Sequence, residues 1–288
     1  MQCKNCGLIY ENPRSDAAAL KNYYDFILSG DHQFAQSWFI DAAPLQSSTW
    51  QRYLRVLKRY CPGGELLDVG SGAGSFLVEA RRAGFSVTGQ DVAPFFIDYC
   101  RKEQGLNILE GELEALELPS GSYDVITAFD VIEHHPYPGQ LLKEISRLLK
   151  PNGVLMLSTH DIGNLFAKLY GKRWRHLYAI GHLTYFTRQT MKRLLETNQY
   201  RVIQKGGMHT IDTSTAAEYR RWAIQFVKLI LLRGLILVTY KPATTLIPKL
   251  KTWKLKWKGI TLNHTILMSR VGNQVIMEDD MVFVARPI

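Results

Sequence analysis

Hydrophobic and polar positions follow two different periods along the middle of this chain. Short apolar runs of strand length alternate with stretches in which apolar residues recur every three to four positions, from Glu65 to about Leu157. Between Pro138 and Lys150 the helical period is clear, and its apolar face comprises Leu141, Leu142, Ile145, Leu148 and Leu149. Strands that alternate with helices predict a parallel, doubly wound α/β sheet.

One strand-to-helix junction is rich in glycine. The stretch Glu65–Leu77 reads ELLDVGSGAGSFL, in which an apolar run is followed by glycines at positions 70, 72 and 74. This pattern predicts a strand, a tight turn and a helix. Because a side chain in the turn would keep a ligand away from the backbone, the glycines indicate a site for a nucleoside-type cofactor.

The residues around this turn favour S-adenosylmethionine over a dinucleotide. The dinucleotide pattern G-x-G-x-x-G requires a third glycine where this chain has Ser75. Asp68 lies two residues before the first glycine, where a carboxylate would repel a diphosphate but suit an ammonium and a sulfonium. Asp91 follows about twenty residues after the turn, as expected of a carboxylate that binds ribose hydroxyls. The ribose is common to both cofactors, so Asp91 does not separate them.

Further motifs follow in order: Gly111–Leu116, Ser122–Ile126, Phe129–His134, and Pro151–Asn152–Gly153 before an apolar run. With these, the sequence from about Leu45 to Tyr200 resembles the class I S-adenosylmethionine-dependent methyltransferases. It is most similar to the branch of the ubiquinone-pathway O-methyltransferases and related bacterial methyltransferases. The resemblance implies a Rossmann-like sheet of seven strands with the last strand antiparallel.

The resemblance also implies roles for individual residues in the cofactor pocket. The methionine part of the cofactor would contact Asp68, Gly70, Gly72, Gly74 and Asp130, the ribose Asp91, and the adenine Glu112 and Leu113. All of these positions are expected at the carboxyl ends of parallel strands, where ligands bind in open α/β sheets.

Methylation of a hydroxyl is helped by a base that removes its proton. We expect this base to be His134 or His182, with His135 and His160 as further candidates. His182 belongs to a segment that resembles a lid. The aromatic residues of the connection before it would form one wall of the acceptor pocket, namely Phe166, Tyr170, Trp174, Tyr178, Tyr185 and Phe186.

Two groups of residues could bind a metal ion. The string Asp130-Val-Ile-Glu133-His134 resembles an acidic-x-x-Glu-His motif that can hold Mg²⁺, although Glu is more usual at the first position. Cys3 and Cys6 resemble one knuckle of a zinc ribbon. A closed zinc site needs four ligands, and the remaining cysteines, at positions 61 and 100, are poor replacements for the second knuckle.

Positive charge is concentrated near the C-terminus. The formal net charge is +9, and the segment Tyr219–Lys258 contains ten Lys or Arg residues with no Asp or Glu. Mixed with Leu and Trp, these residues suit a helix at an anionic membrane surface. A helix that packs on the core and has a solvated basic face is the alternative. No nucleic-acid-binding motif accompanies the charge, which disfavours nucleic acid as a partner.

The organisation we predict has five parts. They are a Cys-bearing segment (1–14), an N-terminal helical cap (15–60), the cofactor-binding core (61–209), a basic, partly apolar helical insertion (210–275) and a final core strand (276–288). With 288 residues, 46% of them hydrophobic, the chain can bury a substantial core. Four cysteines and no recognisable signal peptide favour a cytoplasmic protein, which could associate with the inner face of the membrane.

The function predicted is O-methylation of a small or lipid-linked acceptor by S-adenosylmethionine. Methylation of carbon, on a sugar nucleotide or a quinone ring, remains an alternative. Two alternatives come from other classes: a non-catalytic ligand-binding module and a nucleotide-dependent oxidoreductase. The sequence indicates no oligomeric state.

Overall fold

In this computed structural model, the described residues are 1–16, 18–20, 22, 36–41, 43–174, 176–177, 181–207, 254–257, 260–263 and 280–288. The chain divides into two compact units. The first unit comprises Met1–Asp212 together with Asp279–Ile288, and the second comprises Thr213–Glu278.

The strands, in chain order, are β1 (Ile9–Tyr10), β2 (Gly64–Val69), β3 (Phe85–Asp91), β4 (Ile108–Glu110), β5 (Tyr123–Phe129), β6 (Leu149–His160), β7 (Thr184–Tyr185), β8 (Tyr200–Gly207), β9 (Lys254–Trp257), β10 (Ile260–Asn263) and β11 (Asp280–Pro287). Seven of them form one sheet in the order β4-β3-β2-β5-β6-β11-β8. β11 is antiparallel to both β6 and β8, whereas the pairs formed by β2 to β6 are parallel. The predicted seven-stranded sheet with an antiparallel last strand is therefore confirmed.

The α-helices are α1 (Ala43–Lys58), α2 (Ser75–Arg82), α3 (Pro94–Glu103), α4 (Pro138–Leu148), α5 (Leu165–Tyr170) and α6 (Arg188–Thr197). The apolar face predicted for α4 is buried in the main hydrophobic core, which also contains the central strands. The helix ends at Leu148, two residues before the predicted end, because Leu149 pairs with Tyr123 of β5 and begins β6.

The helix α6 begins as its sequence predicts. The Thr187 hydroxyl accepts a hydrogen bond from the Thr190 backbone N–H, and the Thr190 hydroxyl accepts one in return from the Thr187 N–H. This reciprocal cap satisfies two N–H groups that would otherwise lack partners in the first turn. Met191 and Leu195 are fully buried, so α6 packs its apolar face on the core.

The N-terminal helix α1 packs beside the glycine-rich turn. Tyr53 and Leu57 are fully buried, in agreement with the helical spacing of these residues in the sequence. The Trp50 ring contacts Tyr53, Phe76 of α2 and Phe129 at the end of β5, with centroids 5.4–5.8 Å apart. Phe129 also contacts Tyr53 at 5.2 Å and Phe76 at 4.9 Å. This aromatic cluster fixes α1 at the carboxyl edge of the central strands.

The first residues of the chain form a small hairpin-like turn. The Cys3 N–H donates to the Leu8 carbonyl oxygen, and the Gly7 N–H donates to the Cys3 carbonyl oxygen. β1 then pairs antiparallel with β7, which lies in the segment that resembles a lid. The N-terminal segment therefore packs against that segment of the core unit.

In the second unit, the structure describes an antiparallel hairpin of β9 and β10. This corrects the helical prediction for Lys254–Trp257. The reason lies in the sequence Lys-Leu-Lys-Trp, whose charged and apolar residues alternate with the two-residue period of a strand. The rest of the predicted basic helix and its membrane contact lies outside the described residues. Within the described ranges, none of the helices combines the length and apolarity that crossing a bilayer requires.

Candidate active site

The glycine-rich turn adopts a backbone that requires glycine. Gly70, Gly72 and Gly74 have φ values of 64°, 51° and 73°, in the left-handed region. A Cβ atom on Gly70 would lie 2.6 Å from Cγ2 of Val131, and one on Gly74 would lie 2.6 Å from Cδ1 of Leu106. A Cβ atom on Gly72 would have Cδ1 of Phe39, at 3.8 Å, as its nearest neighbour among the described residues, so the turn is open at its centre.

Two side chains at the end of β3 hold this turn in place. Asp91 accepts hydrogen bonds from the Gly72 and Ala93 N–H groups, both of 2.8 Å. Gln90 accepts one from the Gly70 N–H (3.2 Å) and donates one to the Gly111 carbonyl oxygen (2.6 Å). Each Asp91 oxygen retains a further acceptor direction for a ligand. This role of Gln90 was not predicted from the sequence. An amide side chain next to Asp91, in a run that otherwise reads as a strand, could have indicated it.

Asp68 lies beneath the turn with 3% of its surface exposed. The Thr127 hydroxyl donates a 2.6 Å hydrogen bond to its Oδ1. Burial, together with the charge of Asp91, raises the pKa of Asp68 to about 7, although the Thr127 hydrogen bond acts in the opposite direction. A buried carboxylate that is costly to ionise becomes a favourable partner for a cation.

Ser75 occupies the sixth position of the turn, where a dinucleotide-binding protein has glycine. Its hydroxyl accepts a hydrogen bond from the Trp50 indole N–H (3.1 Å) and donates one to the Gln46 side chain (3.3 Å). The departure from the dinucleotide pattern therefore has a structural use, because it attaches α1 to the first turn of α2.

The two residues expected near adenine differ in exposure. Glu112 is exposed and precedes a short 3₁₀ helix, Leu113–Ala115. Leu113 is only 2% exposed and packs into the main hydrophobic core. Its side chain therefore supports the loop from below, and Glu112 is the one of these two residues whose side chain is accessible.

A cluster of histidines and carboxylates lies beyond the ends of β5 and β6. The His160 Nδ1–H donates to Asp280 Oδ1 across the β6–β11 pair, in which these two residues are in register. The Nε2 atom of His160 lies 3.8 Å from Glu133 Oε1. Burial alone would lower the pKa of His160, but the charge and hydrogen bond of Asp280, with Asp130 and Glu133, raise it to about 10.

Glu133 carries the least satisfied carboxylate of this cluster. Its residue surface is 2% exposed, and neither oxygen receives a hydrogen bond of ordinary geometry from the described residues. The Thr159 hydroxyl is close enough to lower the Glu133 pKa. It also lacks a hydrogen-bond partner of ordinary geometry among the described residues. Burial and the charge of Asp130 raise the pKa of Glu133 to about 8.

Asp130 ends β5 in a strained conformation, with a φ of 54°. The Ser158 hydroxyl donates a 2.8 Å hydrogen bond to its Oδ1. Burial and the charge of Asp280 raise its pKa. This position at the carboxyl edge agrees with the place expected for Asp130.

The two histidines expected to be the base lie side by side. His134 donates from Nδ1 to the Gly181 carbonyl oxygen (2.8 Å), and His182 donates from Nδ1 to the His176 carbonyl oxygen (2.9 Å). Their ring centroids are 4.6 Å apart. Burial lowers the pKa of His134 to about 4 and that of His182 to about 3, so both rings are neutral at pH 7.

The other two candidate bases, His160 and His135, lie in different surroundings. His160 joins the carboxylate cluster, whereas His135 faces away from it and contacts Glu114 Oε1 at 3.0 Å. Two further members of the cluster, His176 and Asp280, were not predicted. His176 packs its ring on His160, with centroids 3.6 Å apart. Asp280 is 120 residues from His160 in the chain, and only the pairing of β11 with β6 brings them together.

Several aromatic residues expected to line an acceptor pocket are buried instead. Trp174 and Tyr185 form a small apolar cluster with Ala167, and Phe186 belongs to the main core. Trp174 and Tyr185 lie behind the histidines, with ring centroids 5.1 Å from His176 and 6.1 Å from His182. Trp174 and Tyr185 therefore support the histidine cluster, whereas Phe186 contributes to the main core. Tyr178 and the Phe166 side chain lie outside the described part of the chain.

The cysteines are distributed over distant sites. Cys100 donates from Sγ to the Gly72 carbonyl oxygen and Cys61 to that of Gly63, which agrees with their unsuitability as zinc ligands. Cys3 is partly buried, and hydrogen bonds from the Cys6 and Asn5 backbone N–H groups lower its pKa. The groups of potential metal ligands within the described residues are Glu133–His160–His182 and Asp130–His160–Asp280.

The strand order, the glycine-rich turn and the acidic residue after it are features of the class I methyltransferases. A family model described as a methyltransferase domain matches residues 45–205, more than half of the chain. The chain therefore belongs to this family, and its cofactor is S-adenosylmethionine, as predicted.

Similar proteins carry related descriptions. A malonyl-[acyl-carrier protein] O-methyltransferase of Serratia marcescens is 32% identical over 146 residues, which cover 50% of this chain and 56% of that protein. A ubiquinone biosynthesis O-methyltransferase of Xanthomonas campestris is 36% identical over 164 residues, covering 51% and 65%. The matches thus span less than two thirds of these relatives. A Mesorhizobium loti methyltransferase structure has a TM-score of 0.51 at 15% identity, covering 83% of this chain and 97% of that one, which shows the shared fold.

The residues of the turn fit the cofactor. The Ser71 hydroxyl is buried and receives no hydrogen bond from the part of the chain that the structure describes, so it can serve a ligand. The open centre of the turn at Gly72 leaves room for the methionine chain of the cofactor, and the Asp68 carboxylate suits its ammonium end. S-Adenosylmethionine has no phosphate, which makes a carboxylate at this position compatible with it.

Proposed function

We propose that this chain transfers a methyl group from S-adenosylmethionine to an oxygen atom of a small acceptor, with an acidic hydroxyl such as a phenol. The cofactor supplies an electrophilic methyl group on a sulfonium, and the protein aligns the acceptor, excludes water and accepts a proton. The two relatives described above are both named O-methyltransferases, which supports oxygen as the accepting atom. The observation that carries the proposal is the pair of buried, neutral imidazoles, His134 and His182, at the carboxyl edge.

We assign the methionine part of the cofactor to the turn. Asp68 would hold the amino group, directly or through water, and the backbones of Gly70, Gly72 and Gly74 would lie along the chain of the amino acid. Asp130 would border the same part, since it ends β5 next to β2. We assign the ribose to Asp91, whose two oxygens each accept one backbone hydrogen bond and have room for another.

The adenine would lie against the loop that begins at Glu112. Glu112 is exposed at the start of this loop, where its carboxylate can accept a hydrogen bond from the adenine amine. Leu113 would act through its backbone, because its side chain is buried in the core.

His134 is the residue that we propose as the base. Its Nδ1–H is held by the Gly181 carbonyl oxygen, so Nε2 has the lone pair. A ring nitrogen of His182, by contrast, lies within 4.8 Å of the ligand atoms of Glu133 and His160. A base with a pKa of about 4 takes a proton from a phenol far more readily than from an aliphatic alcohol, which favours an acidic hydroxyl.

The experiment has two stages. Calorimetry first measures S-adenosylmethionine binding to the full chain, and methyl transfer from labelled cofactor is then assayed with phenols, carboxylic acids and aliphatic alcohols. We expect His134→Ala to lower kcat by about 100-fold to 10,000-fold on a phenol, and His135→Ala, the adjacent control, to leave it unchanged. Unchanged turnover in His134→Ala and in the His134→Ala, His182→Ala double variant would refute the assignment of the base.

The same assay separates the alternatives. Reagents that cleave ethers and esters remove a methyl group from oxygen but not from carbon. A labelled product that keeps its methyl group after such treatment would identify C-methylation. Binding of the cofactor without turnover on any acceptor class would favour a non-catalytic module. No binding at all would refute the proposal.

A lipid-linked acceptor and contact with an anionic membrane are further parts of this proposal. They are supported by the ten basic residues and the apolar runs of Tyr219–Lys258, and not by any described side chain. Flotation with vesicles that contain or lack anionic lipid tests both. Absence of binding to both vesicle types would leave a small, water-soluble acceptor as the substrate class.

A further inference from the structure

The histidine and carboxylate cluster contains three side chains with the arrangement of a metal site. The ligand atoms of Glu133, His160 and His182 all lie within 4.8 Å of one another. Glu133 is in the loop after β5, His160 ends β6, and His182 precedes β7. We infer that these three residues form a binding site for a divalent transition-metal ion, with Zn²⁺ as the best-matched ion.

The backbone brings the three elements together. The Glu133 carbonyl oxygen accepts hydrogen bonds from the Leu183 N–H (2.9 Å) and the Thr184 N–H (3.2 Å). These bonds fix the segment that contains His182 directly against the loop that contains Glu133. The site therefore does not depend on a mobile side chain that happens to reach the others.

Each histidine is oriented as metal-binding histidines are. His160 donates its Nδ1–H to the Asp280 carboxylate, and His182 donates its Nδ1–H to the His176 carbonyl oxygen. In the neutral ring of His182 the lone pair is then on Nε2, whereas His160 would release its Nε2 proton when the ion binds. Metal-binding histidines almost always donate the other ring N–H to a carboxylate or a carbonyl oxygen in this way.

Glu133 supplies an independent argument. Its carboxylate is 2% exposed, and both oxygens lack a hydrogen-bond partner of ordinary geometry among the described residues. A buried carboxylate whose oxygens accept no hydrogen bond is costly to ionise, and a bound cation lowers that cost. The His160 Nε2 to Glu133 Oε1 distance of 3.8 Å is close to the roughly 3.4 Å between two ligands of a tetrahedral zinc ion with bonds of about 2.1 Å.

The donor set selects the class of ion. Two imidazoles and one carboxylate suit Zn²⁺ and other first-row transition ions, with an open position for water or a substrate oxygen, whereas Mg²⁺ prefers oxygen ligands. This set differs from Asp130, Glu133 and His134, the set expected from sequence. In the structure, His134 is directed to Gly181 and Asp130 to Ser158.

The test uses the full chain, purified without a metal-binding tag. Its metal content is measured by mass spectrometry, and the protein is then stripped with a chelator and titrated with Zn²⁺ against a chromogenic competitor. We expect one Zn²⁺ per chain. Glu133→Gln and His182→Gln should weaken binding by more than about 100-fold, and Asp280→Asn, which removes the partner of His160, by about 10-fold to 100-fold.

His135→Gln is the matched control, because His135 lies in the same loop but its ring contacts Glu114 and the Tyr137 backbone, away from the cluster. It should bind Zn²⁺ like the wild type. Thermal melts and S-adenosylmethionine binding of each variant report whether it is folded. If Glu133→Gln does not fold, Zn²⁺ binding by His182→Gln and Asp280→Asn tests the site instead.

Three results would overturn the inference. They are no Zn²⁺ binding by the wild type, binding that Glu133→Gln and His182→Gln leave unchanged, and binding of Mg²⁺ that depends on His134 but not on His182. An open position on the ion would take the acceptor oxygen and lower its pKa, and this part alone rests on the proposed function. Cofactor binding does not require the ion. Binding of S-adenosylmethionine by the metal-stripped protein therefore distinguishes failure of the zinc site from failure of the proposed function.

Discussion

The Trp50 indole donates a 3.1 Å hydrogen bond to the hydroxyl of Ser75, the first residue of α2. This bond connects the N-terminal helix to the turn that we assign to the cofactor. It also explains why serine, and not the glycine of dinucleotide-binding proteins, occupies the sixth position of the turn. The same Trp50 ring packs on Phe76 and Phe129, so the bond orients a side chain that is already held by apolar contact.

A double-mutant cycle on this pair tests its contribution. We expect Ser75→Ala and Trp50→Phe each to lower the free energy of unfolding, and the coupling between them to be about 1 kcal/mol, as is typical of one hydrogen bond. Denaturant unfolding of the wild type, both single variants and the double variant gives this value. A coupling indistinguishable from zero would show that the bond contributes nothing and that packing alone holds α1.

The centre of the turn offers a test of cofactor contact. Gly72→Ala and Gly84→Ala both place a side chain at positive φ, with values of 51° and 95° in the wild type, so both should lower stability by about 1 to 2 kcal/mol. A Cβ atom at Gly84 meets no atom of the described residues within 4 Å, and Gly84 lies outside the turn in the sequence. We therefore expect only Gly72→Ala to weaken S-adenosylmethionine binding in calorimetry. Equal effects of the two variants on binding would contradict the assignment of the methionine part to this turn.

The features predicted correctly from sequence are local. The glycine turn, Asp68 and Asp91 lie within one strand–turn–helix–strand segment, and the face of α4 repeats every three to four residues. Such patterns depend on backbone conformation and burial over a few neighbouring positions. For this reason the amino-acid sequence alone predicts the turn to which we assign the cofactor, and the role of each residue in it stays a prediction.

The acceptor end depends on contacts between distant parts of the chain. His160 and Asp280 meet because β11 returns antiparallel beside β6, and neither residue belongs to a local pattern. His135 was a further candidate beside His134 in the sequence, but successive residues in a loop face different directions, and His135 faces Glu114. The error at Lys254–Trp257 had a different cause, since composition suggested a membrane helix where the two-residue period indicated a strand.

The reactivity of the cysteines should follow their surroundings. Backbone hydrogen bonds lower the pKa of Cys3, whereas burial raises the pKa of Cys61 and raises that of Cys100 to about 12. Because the thiolate is the reactive form, we expect alkylation near neutral pH to modify Cys3 well before Cys61 and Cys100. Mass spectrometry of peptides after a timed exposure measures the order.

The same experiment with added Zn²⁺ tests whether Cys3 and Cys6 bind metal. Protection of both cysteines at stoichiometric Zn²⁺ would support a zinc site at the N-terminus. Unchanged rates would show that the turn forms without metal. Faster alkylation of Cys100 than of Cys3 would contradict the environments described here.

The pH dependence of cofactor binding should report the state of Asp68. Burial raises its pKa to about 7, above the usual 3.8, so without cofactor the carboxylate destabilises the fold as the pH rises from about 4 to 7. The ammonium of S-adenosylmethionine favours the ionised form. Affinity should therefore increase from about pH 5.5 to 7.5, and binding near pH 6 should release a proton.

Calorimetry in two buffers with different heats of ionisation measures this proton release. Asp68→Asn keeps the size of the side chain but cannot ionise, so we expect weaker binding, no dependence on pH in this range and no proton release. The same substitution should stabilise the cofactor-free protein at pH 8 relative to the wild type, because the costly buried charge is gone. If Asp68→Asn shows the wild-type pH profile, another group binds the cofactor's ammonium, and Asp68 serves only to support the turn from beneath.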